Sequence, residues 1–235
     1  MVDGKIEIEI WGDIVCPFCL VGKKSLEKVI TILGIRNKIT ITPRSFQLEP
    51  DFPKNIAKPS IQHLSENKGY PIDEVKAMCA ELTAQGHTLG VKFDFDAAQI
   101  FNTFDAHKLV KFARSFELDE VLNDALMHAY ASEGIDLSER NNLIKIVDKL
   151  GLDTALATAV LTSHTHHGAI DEDRKEGLAL GLQGVPFFRI NKKQVIAGMQ
   201  NEELIKKMLE EALRDKKISL GTEDAPNCTI NGNCS

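Results

Sequence analysis

Residues 5–11, KIEIEIW, alternate charged and apolar side chains, a period of two that predicts a β-strand with Ile6, Ile8 and Ile10 on one face. Leu26, Val29, Ile30 and Leu33 then recur at helical spacing, and Gly34 marks the stop. Residues 38–46, KITITPRSF, predict a second strand, and Pro43, which lacks an N–H, places it at a sheet edge or bulge. A proline-punctuated connector, LEPDFPKNIAKP, follows at 48–59.

From about 60 to 182 the pattern is almost wholly helical. Helices are predicted in DEVKAMCAELTAQG, NTFDAHKLVKFARSFE, DEVLNDALMHAYASEG, SERNNLIKIVDKLG, DTALATAVLTSH and DEDRKEGLALG. In the second of these, Leu109, Phe112, Ala113 and Phe116 make an apolar stripe. Strand character returns only at 185–190, VPFFRI. A turn at NKK leads into QVIAG, which together predict a hairpin. NEELIKKMLEEALRD is a last helix, and the remainder has no periodicity and reads as a tail. The order predicts an α/β protein whose small mixed sheet is interrupted by a helical insertion.

Composition narrows the function. The chain has 235 residues, 43% of them hydrophobic, enough for a sizeable core. Its net charge of -6 offers no basic face of nucleic-acid type, so no nucleic-acid partner is expected. The start, MVDGKIEIEIWGD, lacks the apolar stretch of a signal peptide, and no run of about 18 apolar residues predicts a membrane span. A cytoplasmic location is the expectation. A protein of this size there needs no disulfide framework, so the five cysteines are expected to be chemical rather than structural.

VCPFC, residues 15–19, admits three readings: a metal clamp, a structural disulfide or a reactive dithiol. A helix starting at Pro17 puts Cys16 at the N-cap, where unpaired N–H groups and the helix dipole favour a thiolate, the nucleophile of disulfide exchange. Cys19 falls one turn on, within reach and buried. Zinc needs four ligands, with NCTINGNC as the available second pair, and the strand–CPxC–helix context favours redox chemistry over it. In GVPFF, 184–188, the Val185–Pro186 bond opening a late strand predicts a cis proline, against the plainer reading of an edge-strand proline.

With DIVCPFC before a helix, a helical insertion and then GVPFF, the chain resembles the DsbA family of thioredoxin-fold proteins. PRSFQLEP, NTFDAHKLVKFA and GVPFF…VIAGMQ resemble its FrnE-like branch, close to the 2-hydroxychromene-2-carboxylate isomerases and kappa glutathione transferases. The resemblance covers about residues 6–213. It implies a thioredoxin fold with a large all-helical insertion between its second strand and its C-terminal hairpin. The expected divisions are 1–50 and 169–217 for the two parts of the thioredoxin-like domain, 51–168 for the insertion and 218–235 for a cysteine-containing tail.

The resemblance also implies roles. Cys16 matches the exposed nucleophile and Cys19 the resolving thiol. Val185 and Pro186 match the loop that offers backbone groups to an extended peptide or to glutathione. Asn102, Thr103 and His107 match an NT…AH motif near the dithiol, and Phe18 lies on the same substrate-facing surface. Two departures matter. The acidic residue usual six positions before the first cysteine is Ile10 here, leaving Asp13, with Glu9 as an alternative, as the proton-transfer candidate. Phe18 stands where strongly oxidising members carry histidine; a phenyl ring brings no positive charge, so an extreme potential is not implied.

Other residues have plainer readings beside functional ones. His107 is equally a half-buried helical residue. SHTHHG at 164–168 fits a helix end better than a metal site, and no metal is expected. Cys79 reads as a small buried apolar residue and Trp11 as core. Cys228 and Cys234 flank an Asn-Gly turn and are either an incidental tail or a second redox pair.

The function expected is thiol–disulfide exchange with protein or small-molecule disulfides, without a tightly bound cofactor and with glutathione as a candidate co-substrate. A reducing compartment favours reductase or isomerase work. The alternatives are a glutathione-dependent isomerase or transferase acting on small molecules, and a non-enzymatic chaperone using the insertion groove. Relatives of the isomerase type carry serine where this chain has Cys16.

Overall fold

The computed structural model describes residues 4–218; Cys228 and Cys234 lie outside them. The chain runs through β1 (Ile6–Gly12), α1 (Pro17–Ile32) and β2 (Ile39–Ser45), then β3 (Ala57–Pro59), α2 (Ser60–Lys68), α3 (Ile72–Thr88) and β4 (Gln99–Phe101). Four helices follow: α4 (Phe104–Ala113), α5 (Asp119–Glu133), α6 (Arg140–Lys149) and α7 (Thr154–Thr162). The chain closes with α8 (His167–Ala179), β5 (Phe187–Ile190), β6 (Gln194–Ala197) and α9 (Glu202–Asp215).

β1 is central in a four-stranded sheet of order β2-β1-β5-β6. It pairs parallel with β2 and antiparallel with β5, and Ile10 lies opposite Pro43 and Phe188. β2 is an edge strand, where the missing N–H of Pro43 costs no ladder bond on the open side. Because strand side chains alternate, Ile6, Ile8 and Ile10 enter one core with Leu26, Val29 and Ile30 of α1 and Ile205 and Leu209 of α9. Trp11, on the other face, packs with Phe187 and Leu182. Its Nε1 donates to the Asp173 carbonyl of α8 at 2.6 Å. Gly177 permits this approach, since a Cβ there would stand 2.9 Å from the indole nitrogen.

Between β2 and β5 the chain builds a second core from the α4, α5, α6 and α7 faces. The insertion is not helical throughout. β3 and β4 pair antiparallel as a two-stranded ribbon, with Ala57 opposite Phe101. Three-residue strands are too short to show a period of two in sequence, which is why AKP and QIF escaped the strand reading. Phe116 also departs from the predicted stripe. The helix tightens into a 3-10 turn at 114–116, so Phe116 turns outward and is half exposed, its ring edge-on to Phe112.

The N-terminal turn of α1, with Cys16, Cys19 and Leu20, belongs to the insertion's core, whereas Leu26, Val29 and Ile30 belong to the sheet's. One helix thus spans two cores, and its cysteine end marks where they meet. No helix among the described residues is long and apolar enough to cross a membrane.

Candidate active site

The end of β1 turns into α1 over four residues, with the Cys16 amide donating to the Asp13 carbonyl at 3.1 Å. Cys16 is the N-cap, in extended conformation, and Pro17 occupies the first helical turn. The Cys16 carbonyl starts the helix ladder by accepting from the Cys19 and Leu20 amides. Its thiol makes no capping bond to the helix. It points instead toward the Val185 carbonyl, 3.8 Å from Sγ.

The Val185–Pro186 peptide bond is cis, as the sequence pattern implied. Gly22, one turn beyond Cys19, lets α1 lie against this loop: a Cβ there would stand 3.1 Å from Pro186 Cγ and 3.3 Å from the Phe188 ring.

Cys19 sits deeper, its Sγ 3.4 Å from where a Cβ on Gly12 would be. Burial, then the neighbouring Cys16 sulfur, pushes the Cys19 thiol well above the ordinary range. Cys16 was expected to be exposed, yet only 4% of it is accessible. It belongs to the insertion's core and is set in the wall of a cavity of about 170 Å³.

Asp13 is buried beside the pair. Its Oδ1 accepts from the Ile14 amide at 2.8 Å and faces His107 Nε2 at 3.2 Å, and its Oδ2 accepts from the Leu48 amide at 2.7 Å. The NT…AH motif therefore divides its labour. His107 reaches Asp13 across 94 positions of sequence. Asn102 instead closes the connector, donating to the Phe52 carbonyl at 2.6 Å and accepting from the Phe104 amide. Thr103 lines the cavity, and Phe18 is exposed on its rim.

Glu9, the alternative proton-transfer candidate, goes elsewhere. It lies on the Trp11 face of β1, away from α1, in an ion network. It pairs with Arg189 at 2.5 Å and with Arg44, which also binds Asp173 at 2.7 Å. Glu176 bridges both guanidiniums, and Lys111 pairs with Asp173. Burial raises the Glu9 carboxyl, but its bonds to Arg189 and Arg44 outweigh that and hold it below the usual range.

Two residues of the cavity were not singled out for chemistry. Cys79 is buried as expected, but on the same cavity wall as Cys16. Tyr130 carries a buried hydroxyl that makes no hydrogen bond among the described residues; burial, then nearby Cys16, raises it far above its ordinary value. A lone tyrosine on an apolar helix face was the only sequence signal for it. The His167 ring packs edge-on with both His164 and Phe104. Among the described residues no group of three or more His, Cys, Asp or Glu is placed to hold a metal.

A thioredoxin-type sheet with a CPxC helix facing a cis-proline loop defines the class. Residues 7–210 match the DSBA-like thioredoxin domain family model, and the chain belongs to that family. A crystal structure described as a probable DsbA oxidoreductase from Streptomyces coelicolor is 28% identical, with 98% of each chain covered and a TM-score of 0.85. The structure of a 2-hydroxychromene-2-carboxylate isomerase shares the fold at 14% identity, covering 91% of this chain and 99% of that one, with a TM-score of 0.65. An uncharacterized protein of Bacillus subtilis (strain 168), YwbO, is 23% identical over 90% of this chain and 99% of its own.

Proposed function

We propose that the protein is a thiol–disulfide oxidoreductase working through Cys16 and Cys19. The observation that carries this is the position of Cys16: at the N-cap of α1, facing the Val185 carbonyl, with Cys19 one turn behind. In this reading the Cys16 thiolate attacks one sulfur of a substrate disulfide. The substrate S–S bond breaks, one thiolate leaves and takes up a proton, and a mixed disulfide forms. Cys19, deprotonated in turn, attacks the Cys16 sulfur. The second substrate thiol leaves, and the dithiol has given up two electrons as a Cys16–Cys19 disulfide. In this reading Asp13, buried beside the pair, relays the proton of Cys19, and His107 orients it; the Asp13–His107 contact supports this. Val185 and Pro186 present backbone to the substrate, with Phe18 at the rim and Asn102 holding the connector in place.

A cytoplasmic setting, an external thiol such as glutathione as reductant, and net reductase or isomerase work complete the proposal. Cys228 and Cys234 are assigned as a second exchanging pair. The fold is shared with an isomerase, so the choice of chemistry rests on the site, where a cysteine rather than a serine stands at position 16.

Reduction of insulin by the reduced protein tests the reading. Cys16→Ser should abolish it, and Cys19→Ser should accumulate a mixed disulfide on Cys16. Undiminished reduction by Cys16→Ser would overturn it. Suppression of insulin aggregation by the double cysteine variant would favour the chaperone reading instead.

A further inference from the structure

The cavity beside Cys16 has a composition that selects among substrates. Its volume is about 170 Å³, and a dry apolar cavity of about 150 Å³ is enough for a benzene ring. Val15, Leu82, Phe95, Ile100 and Phe101 are part of a largely apolar wall in which Cys16 is set. Among the described residues no lysine, arginine or histidine lines it. Its two carboxylates are already engaged, Asp13 as described and Glu49 by His63 at 2.7 Å. A carboxylate-bearing thiol would find no cation inside, and burying its charge unpaired is costly.

The polar offering is equally specific. Tyr130 lines the cavity, and its hydroxyl has no hydrogen-bond partner among the described residues. The Ser60 hydroxyl donates to the Phe95 carbonyl at 3.4 Å, and the Thr103 hydroxyl accepts from the Gln47 amide at 3.4 Å. A peptide backbone would bring an N–H and a C=O for every residue into a space with so few free partners.

We propose that this cavity is a subsite for the apolar arm of a small, uncharged thiol substrate: a group of about phenyl size carrying one hydrogen-bond acceptor for Tyr130, held there while its sulfur is joined to Cys16. The inference rests on the thiol–disulfide reading and adds the substrate class to it.

The test uses the full-length Cys19→Ser chain, which stops at the mixed disulfide. The protein is equilibrated with equal concentrations of phenylmethanethiol, 2-mercaptoethanol and glutathione, with their disulfides, and quenched in acid. Peptide mass mapping then reads the adducts on Cys16. The same protein unfolded in urea is the reference. Burial of a phenyl-sized group predicts a benzyl-to-hydroxyethyl ratio about 30-fold above that reference, with glutathione lowest. Replacing phenylmethanethiol by its 4-methoxy analogue should add about fivefold, and Tyr130→Phe should remove that gain. Met78→Trp, from a half-exposed position on the cavity wall, should bring the benzyl ratio back toward the reference.

A ratio within about threefold of the urea reference would overturn the subsite while leaving thiol–disulfide exchange intact. So would a glutathione adduct at or above the benzyl one, or a cysteine peptide flanked by phenylalanine that outcompetes phenylmethanethiol. No adduct on Cys16 with any thiol would overturn the exchange reading, and the subsite with it.

Discussion

Glu9→Gln separates the ion network from the redox site. Glu9, Asp173 and Glu176 face Arg44, Arg189 and Lys111, three charges of each sign in one connected cluster. The Glu9 and Arg189 side chains are each only 8% accessible, so the substitution leaves a guanidinium short of its partner in a poorly hydrated place. Removing one partner of a buried pair costs about 3–5 kcal/mol. Arg44 and Glu176 keep contact with water, which screens the leftover charge, so about 2–4 kcal/mol is expected at neutral pH. For a chain of this length that lowers Tm by about 4–16 °C.

Urea titration followed by Trp11 fluorescence measures it directly, because Trp11 is the sole tryptophan and both guanidiniums lie over its ring, at 5.5 and 5.2 Å. The folded state holds the Glu9 carboxyl below its unfolded value of about 4.3. Its contribution is therefore complete above that pH and disappears as pH falls through the lower, folded value. The gap between wild type and Glu9→Gln should be full at pH 7 and close in strong acid. Insulin reduction should change by less than about twofold. A cost below about 1 kcal/mol would refute the network argument. A large fall in reduction without a fall in stability would return Glu9 to the proton-transfer role.

Two further outcomes test the dithiol's surroundings. Gly22→Ala should cost about 1 kcal/mol in urea titration and slow insulin reduction several-fold, because crowding against Pro186 and Phe188 exceeds the gain in helix propensity; a stabilised, fully active variant would contradict the close approach of α1 to the loop. In a Cys16→Ser chain at pH 8, iodoacetamide should label Cys19 at least about tenfold more slowly than in urea, since burial keeps that thiol protonated; equal rates would contradict it.

What was legible in sequence followed from short-range pattern. The alternation in β1 identifies the strand and its core face, and Pro17 with the flanking cysteines locates the start of α1. The cis proline at 186 was legible through GVPFF at the start of a late strand, although an edge-strand proline reads the same way locally. Tertiary pairing left no local trace. Glu9 reads as an ordinary exposed strand residue until Arg44, 35 positions on, and Arg189, 180 positions on, converge on it. The burial of Cys16 was illegible for the same reason: it shares its core with Ile100 and Tyr130, neither of them near it in the chain.

The division of α1 between two cores explains how one fold can keep its dithiol and vary its chemistry. The C-terminal half of the helix is fixed by Ile6, Ile8 and Ile10 of the sheet, so the register of Cys16 against Val185 is set by the thioredoxin-like part. The environment of the sulfur is set by the other core, through Tyr130 of α5, Leu82 of α3 and Ile100 of β4. Side chains can change on those elements without moving the strands that aim the cysteine. Asp13 is the exception. It stands at the end of β1 but is bound both to Leu48 of the connector and to His107 of α4, so it couples the two parts where the sulfurs lie. A change at His107 would reach the dithiol through this one carboxylate, whereas a change at Ile100 would reach only what the dithiol meets.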